Sequence, residues 1–136
     1  MASSDALPGQ RRPRPLSPHL SIYRRTMTMA MSIAHRISGG ALYVGVLLLA
    51  WFLIAASADA ATFAVFSGFV ESFTGRLVLF GFTWALFHHL IGGMRHIAWD
   101  SGHGLDAPLR DQMAWATLIG GFALTIVVWA IGYAVR

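Results

Sequence analysis

Three histidines and an arginine stand in FHHLIGGMRHIAWD, residues 87–100, at the end of a strongly apolar run. An ionisable side chain at membrane depth costs about 3 kcal/mol on insertion scales, so such groups usually mark a function. On a helix, positions four apart share a face. Gly81, Ala85, His89 and Gly93 form such a row, and His96 continues it about two turns beyond His89. Small rows often serve only close helix packing, but an imidazole in the middle of one obstructs that contact. Two readings stay open for His89. One is a hydrogen-bonding core histidine. The other is an axial ligand to a flat macrocycle lying on the small-residue groove, as haem iron accepts. His88 lies about 100° around the helix and His96 roughly 10 Å along it, so neither can share an iron with His89. If an iron there is six-coordinate, its other ligand comes from another helix or another chain.

A second cluster, SIAHRISGG at 32–40, carries His35 and Arg36 at the start of another apolar run. Arg36 either snorkels to the headgroups or meets carboxylates, such as haem propionates, for which guanidinium is well suited. Ser32 precedes Arg36 by one helical turn on the same face. A hydroxyl and a guanidinium together also suit a quinone carbonyl, whose reduction builds negative charge on oxygen.

The elements that carry these clusters follow from composition. The chain has 136 residues, of which 56% are hydrophobic and 12% charged, and its mean hydropathy is +0.59. Ile37–Ala58, Leu77–Met94 and Gln112–Val135 contain no Asp, Glu, Lys or Arg. Each is long enough to cross a hydrocarbon core of roughly 30 Å as a helix, and none shows the polar stripe of a soluble core helix. The expected fold is an all-α membrane protein of three transmembrane helices, at about 29–58, 70–99 and 110–135. Residues 1–28 form a separate surface segment, and 29–136 the transmembrane anchor.

No cysteine is present, which removes disulfides, iron–sulfur ligation and thiolate chemistry. Arg11, Arg12, Arg14, Arg24 and Arg25 precede the first span against Asp5 alone, while the first loop holds Asp59, Glu71 and Arg76. The positive-inside rule puts the N-terminus in the cytoplasm. His35, Arg36 and His89 then share the cytoplasmic side at similar depth. No apolar h-region precedes a cleavage site, and Pro8, Pro13, Pro15 and Pro18 break any presequence helix. The first residues are therefore expected in the mature protein, as a docking strip on a bacterial inner membrane. No folded domain displays the arginines to nucleic acid.

Three motifs occur in order: RPLSPHLSIYR before the first span, SIAHRISGG entering it, and His89, Gly93, Arg95, His96 and Asp100 spaced as HxxxGxRHxxxD. In this the chain resembles the cytochrome b large-anchor subunit of succinate dehydrogenase, respiratory complex II, over nearly its whole length. The resemblance implies a subunit of an oxidoreductase that is not catalytic alone. Its partners would be a flavoprotein, an iron–sulfur subunit and a second membrane-anchor subunit, packed together in the bilayer. The two anchors would share haem b and form the site for ubiquinone. By the same resemblance His89 is the axial haem ligand from this chain, and the partner anchor supplies the opposite histidine. Ser32 and Arg36 match positions at the quinone, and His35, with Arg36, matches the propionate side of the haem. His19 belongs to a motif expected against the iron–sulfur subunit. The resemblance assigns no role to His88, Arg95, His96 or Asp100, and His88 is read as a packing or interfacial histidine.

Two other readings compete. A fumarate reductase anchor runs the same chemistry in the opposite direction, and a haem-free structural anchor needs only small-residue packing. A proton or ion pathway would want carboxylates within the spans, and the three charge-free stretches hold none.

Overall fold

The computed structural model describes residues 25–135, all of whose regular structure is helical. The basic, proline-rich strip expected to dock soluble subunits, including His19, lies outside the described residues except for positions 25–28.

Helix α1 spans Met27–Ser57. It begins where Thr26 takes an extended conformation and its hydroxyl accepts a hydrogen bond from the Met29 N–H at 3.3 Å, supplying one of the helix's orphan donors with a partner. At 1.5 Å per residue, its 31 residues reach about 46 Å. That exceeds the hydrocarbon thickness, so the helix must tilt or project from the bilayer. Helices α3 (Phe73–Asp100) and α4 (Ala107–Ala134) complete three spans long and apolar enough to cross. The helices begin and end within three residues of the ranges expected from sequence.

The first loop departs from expectation. Residues Ala60–Glu71 form a helix, α2, too short at about 18 Å to cross a bilayer. Asp59 caps it by accepting from the Thr62 N–H at 2.8 Å. That hydrogen bond holds the Asp59 carboxyl below its ordinary pKa, so the cap persists well into acid. Phe66 is buried against the edge of Trp51, with ring centroids 5.1 Å apart, and Phe69 reaches the same indole. The apolar segment therefore folds back onto the end of α1 instead of trailing between spans.

Ser72 joins α2 to α3 without a loop. Its hydroxyl donates to the Phe69 carbonyl at 2.6 Å and accepts from the Gly75 N–H at 3.0 Å. At the other end, α3 stops at a Schellman turn. Gly102 takes φ +81° and donates to Trp99 O, and His103 donates to Ala98 O. Trp99 Nε1 bonds Gly104 O at 3.1 Å across this turn, and Pro108 in the first turn of α4 suits a helix start.

The spans run antiparallel. The start of α1 meets the end of α3, where His35 and His89 touch, while Trp51 near the end of α1 meets α2. Between α3 and α4 the contact is a stripe of small and polar residues. Ala85, His88 and Arg95 are buried on α3, and Ala114, Thr117, Gly121 and Thr125 on α4. Both threonine hydroxyls donate to carbonyls of their own helix, Thr117 to Met113 O at 2.8 Å and Thr125 to Gly121 O at 2.7 Å. They present a methyl-sized surface with no unmet donor, which suits packing driven by close van der Waals contact in lipid.

Candidate functional site

The histidines of the two clusters meet. His35 and His89 stack face to face, with ring centroids 4.0 Å apart and planes 2° from parallel. His96 approaches the same His35 ring at 5.1 Å. Two glycines allow this. A Cβ on Gly92 would stand 2.5 Å from His35 Nδ1, and one on Gly39 would stand 2.9 Å from His89 Cε1. Each glycine is the floor on which the facing helix lays an imidazole.

The hydrogen bonds around His89 fix its chemistry. Its Nδ1 lies 3.1 Å from the His35 carbonyl oxygen and 3.2 Å from Ser38 Oγ. The Ser38 hydroxyl donates to that same carbonyl at 2.8 Å. A carbonyl only accepts, so Nδ1 carries the proton and shares it between carbonyl and hydroxyl oxygens. In the neutral ring Nε2 then carries the lone pair that can ligate a metal. A metal-binding histidine typically donates its other N–H to a carbonyl or carboxylate, which sets tautomer and ring orientation. Ser38 and Gly39 were not singled out in the sequence, although both stand in SIAHRISGG, three and four residues after His35.

The groove differs in detail from the expected row of small residues. Ala85 is buried in helix packing, whereas Gly81 and Gly93 are open. Beside Gly81 an apolar cleft of about 580 Å³ runs between α1 and α3, lined by Val44, Gly45, Trp51 and Phe82. The Phe82 ring lies over Gly45, where any Cβ would strike it. The room beside Gly81 is thus made by both helices, and not by α3 alone.

His88 is wholly buried on another face, with Trp84 stacked at 5.1 Å and its Cα 3.3 Å from where Gly121 would carry a Cβ. Neither ring nitrogen has a partner among the described residues. Packing is its role here. Arg95 is also buried, at 3% exposure, with its guanidinium carbon 5.0 Å from the Trp99 ring centre. Ser32 is half-buried and Arg36 exposed, and among the described residues no carboxylate pairs with Arg36. No group of three or more His, Asp or Glu among the described residues could hold a free metal ion.

Residues 10–128 match the family described as the succinate dehydrogenase/fumarate reductase transmembrane subunit. The chain belongs to this family. It is 39% identical over 114 residues to the succinate dehydrogenase cytochrome b556 subunit of Paracoccus denitrificans, covering 84% of this chain and 88% of that one. It is 34% identical over 116 residues to the cytochrome b556 subunit of Rickettsia conorii, covering 85% and 90%. The mitochondrial cytochrome b560 subunit of Sus scrofa is 40% identical over 111 residues, 78% of this chain and 64% of that one. The family match takes in α1, α2 and α3 whole, with every residue of the histidine cluster.

Proposed function

We propose that this chain is the membrane-anchor cytochrome b subunit of a succinate:ubiquinone oxidoreductase in a bacterial inner membrane. In this reading it binds haem b and forms part of the quinone site. The observation that carries the reading is the state of His89. Its Nδ1–H is committed to the His35 carbonyl, and its Nε2 carries the lone pair. The names of the bacterial relatives, all cytochrome b556 subunits of succinate dehydrogenase, favour succinate oxidation over fumarate reduction.

When bound, haem supplies a one-electron carrier inside the bilayer. The chain's own residues hold and surround it. His89 Nε2 would hold the haem iron from this chain, and the second anchor subunit would hold it from its own side. Ser38 and the His35 carbonyl orient the His89 ring and raise its basicity. His35 and Arg36 would meet the propionates. Arg36, exposed at the start of α1, together with Ser32 one turn earlier, would also address a quinone carbonyl. Quinone reduction places negative charge on oxygen, and a fixed guanidinium and a hydroxyl donor stabilise it as it forms. Protons complete the product, but electrons must first arrive from succinate. A flavoprotein and an iron–sulfur subunit would supply them from the cytoplasmic side, docked on the basic N-terminal strip.

The test is co-purification from membranes followed by a reduced-minus-oxidised spectrum. The reading expects three companion subunits and a b-type band. An intact, succinate-oxidising complex that lacks the band despite full haem supply would make this chain a haem-free anchor.

A further inference from the structure

Arg95 lies five residues before the end of α3, roughly 7 Å from it along the axis. Its side chain is buried, and none of its three guanidinium nitrogens has a hydrogen-bond partner among the described residues. The Trp99 ring covers one side of the charge but leaves the N–H donors unmet. A charge buried in this way is strongly unfavourable until an anion or other acceptors answer it.

The residue borders a cleft of about 270 Å³, lined by Ile91, Met94 and Arg95 on α3 and by Met113, Ala116 and Thr117 on α4. Arg95 stands about 120° around α3 from His89, and no residue given to the haem or the quinone lines this space. Met94 and Ala116 are exposed, so the cleft opens toward the bilayer. The Thr117 hydroxyl is already engaged by the Met113 carbonyl at 2.8 Å. What remains is one guanidinium between apolar walls, with no carboxylate in the lining. Met94 and Met113 are unbranched and flexible, so these walls can rearrange around an occupant.

That lining matches a ligand with an anionic head and an apolar tail. The guanidinium fork suits a phosphate bidentately, and an acyl chain would cover Ile91, Met94 and Ala116. Arg95 is close enough to the helix end to reach headgroup level, where basic pockets between spans hold acidic lipids. A zwitterionic headgroup would bring an ammonium to a place that offers a cation and no carboxylate. A net-anionic headgroup carries no such conflict.

We propose that this cleft is a binding site for one anionic diacyl phospholipid. The phosphate sits on Arg95, and one chain lies between α3 and α4.

The intact complex, stripped of lipid in mild detergent, is titrated with phosphatidylglycerol or phosphatidylethanolamine, and bound lipid is counted by native mass spectrometry. Wild type should bind phosphatidylglycerol at the lower concentration. Arg95→Gln should raise the phosphatidylglycerol concentration for half-occupancy about tenfold, the scale of losing a hydrogen bond to a charged group. Ala116→Phe leaves the charge in place. Ala116 is exposed and lines the cleft, so the larger ring should fill the space and exclude the chain while α4 stays intact. Unchanged binding in either variant overturns the proposal, and so does equal binding of the two lipids by wild type. Displacement of the lipid by excess inorganic phosphate would make this a site for a free anion and overturn it as well. So would a wild-type cleft filled by a segment of a partner subunit and binding neither lipid.

Discussion

His88 and His89 are neighbours in sequence and opposites in surroundings. His88 is sealed between Trp84 and the backbone of α4, where no macrocycle can reach it. His89 faces α1, its ring laid over Gly39 and its Nδ1 against the His35 carbonyl. His89→Leu should therefore strip the haem or shift its spectrum from the low-spin b form, while His88→Leu and His96→Leu should leave that form in place. Spectra of the three variants in isolated membranes decide it, and a normal low-spin spectrum in His89→Leu would show that another histidine holds the iron. Arg36→Leu acts on a different step. Losing one donor to a developing oxyanion costs about 2–4 kcal/mol of transition-state stabilisation, so quinone reduction should fall steeply while succinate oxidation with an artificial acceptor survives. Unchanged quinone reductase activity in an assembled Arg36→Leu complex would remove Arg36 from the site. The sequence singles out His89, because a histidine in a small-residue row is an anomaly that spacing alone reveals. The stack of His35 on His89 is not legible there. It depends on Gly39 and Gly92 facing each other's partner helix, a pairing that no single helix's periodicity contains.

Helix α2 and its junction with α3 show what periodicity misses at the level of elements. The three spans announce themselves through long stretches without charge, but Ala60–Glu71 is short, apolar on all sides and bracketed by Asp59 and Glu71. That is also the look of an interfacial loop. Its helicity comes from local chemistry, the Asp59 and Ser72 caps, and from tertiary contact of Phe66 with Trp51. Gly75 is the residue on which the junction turns. A Cβ there would run into the Phe69 carbonyl oxygen and stand 2.9 Å from the Val70 Cα. Both are backbone atoms that cannot swing aside. Gly75→Ala should force α2 away from α3 and cost about 1–3 kcal/mol, the usual range for overpacking. The measurement is the Tm of the purified complex in detergent, with Gly68→Ala as control, since a Cβ at Gly68 meets no atom within 4 Å. Equal melting of both variants would mean that the α2–α3 turn relaxes freely.

As a whole, the molecule is a bundle of three mutually touching spans with unequal faces. The α3–α4 seam is closed by small residues, while α1 turns Ile37, Val44, Leu47 and Ile54 outward, each more than half exposed. In a bilayer these are covered by lipid or by a partner subunit, and the proposed sharing of haem through His89 would need that partner on the α1–α3 side. Such an arrangement fixes the sidedness of the chain. Three crossings put the N-terminal strip and the α3–α4 loop on one side, and α2 with the C-terminus on the other. The arginines before α1 would make the first of these the cytoplasm by the positive-inside rule. Because the chain has no cysteine, single substitutions report topology cleanly. Ala61→Cys on α2 and His103→Cys in the α3–α4 loop both replace exposed residues. In right-side-out membrane vesicles, a maleimide that cannot cross the bilayer should label Ala61→Cys and spare His103→Cys until detergent is added. The reverse pattern would invert the chain. It would put Arg36, His35 and His89 on the periplasmic side, away from any source of electrons in the cytoplasm, and the proposed route from succinate to quinone would fail with it.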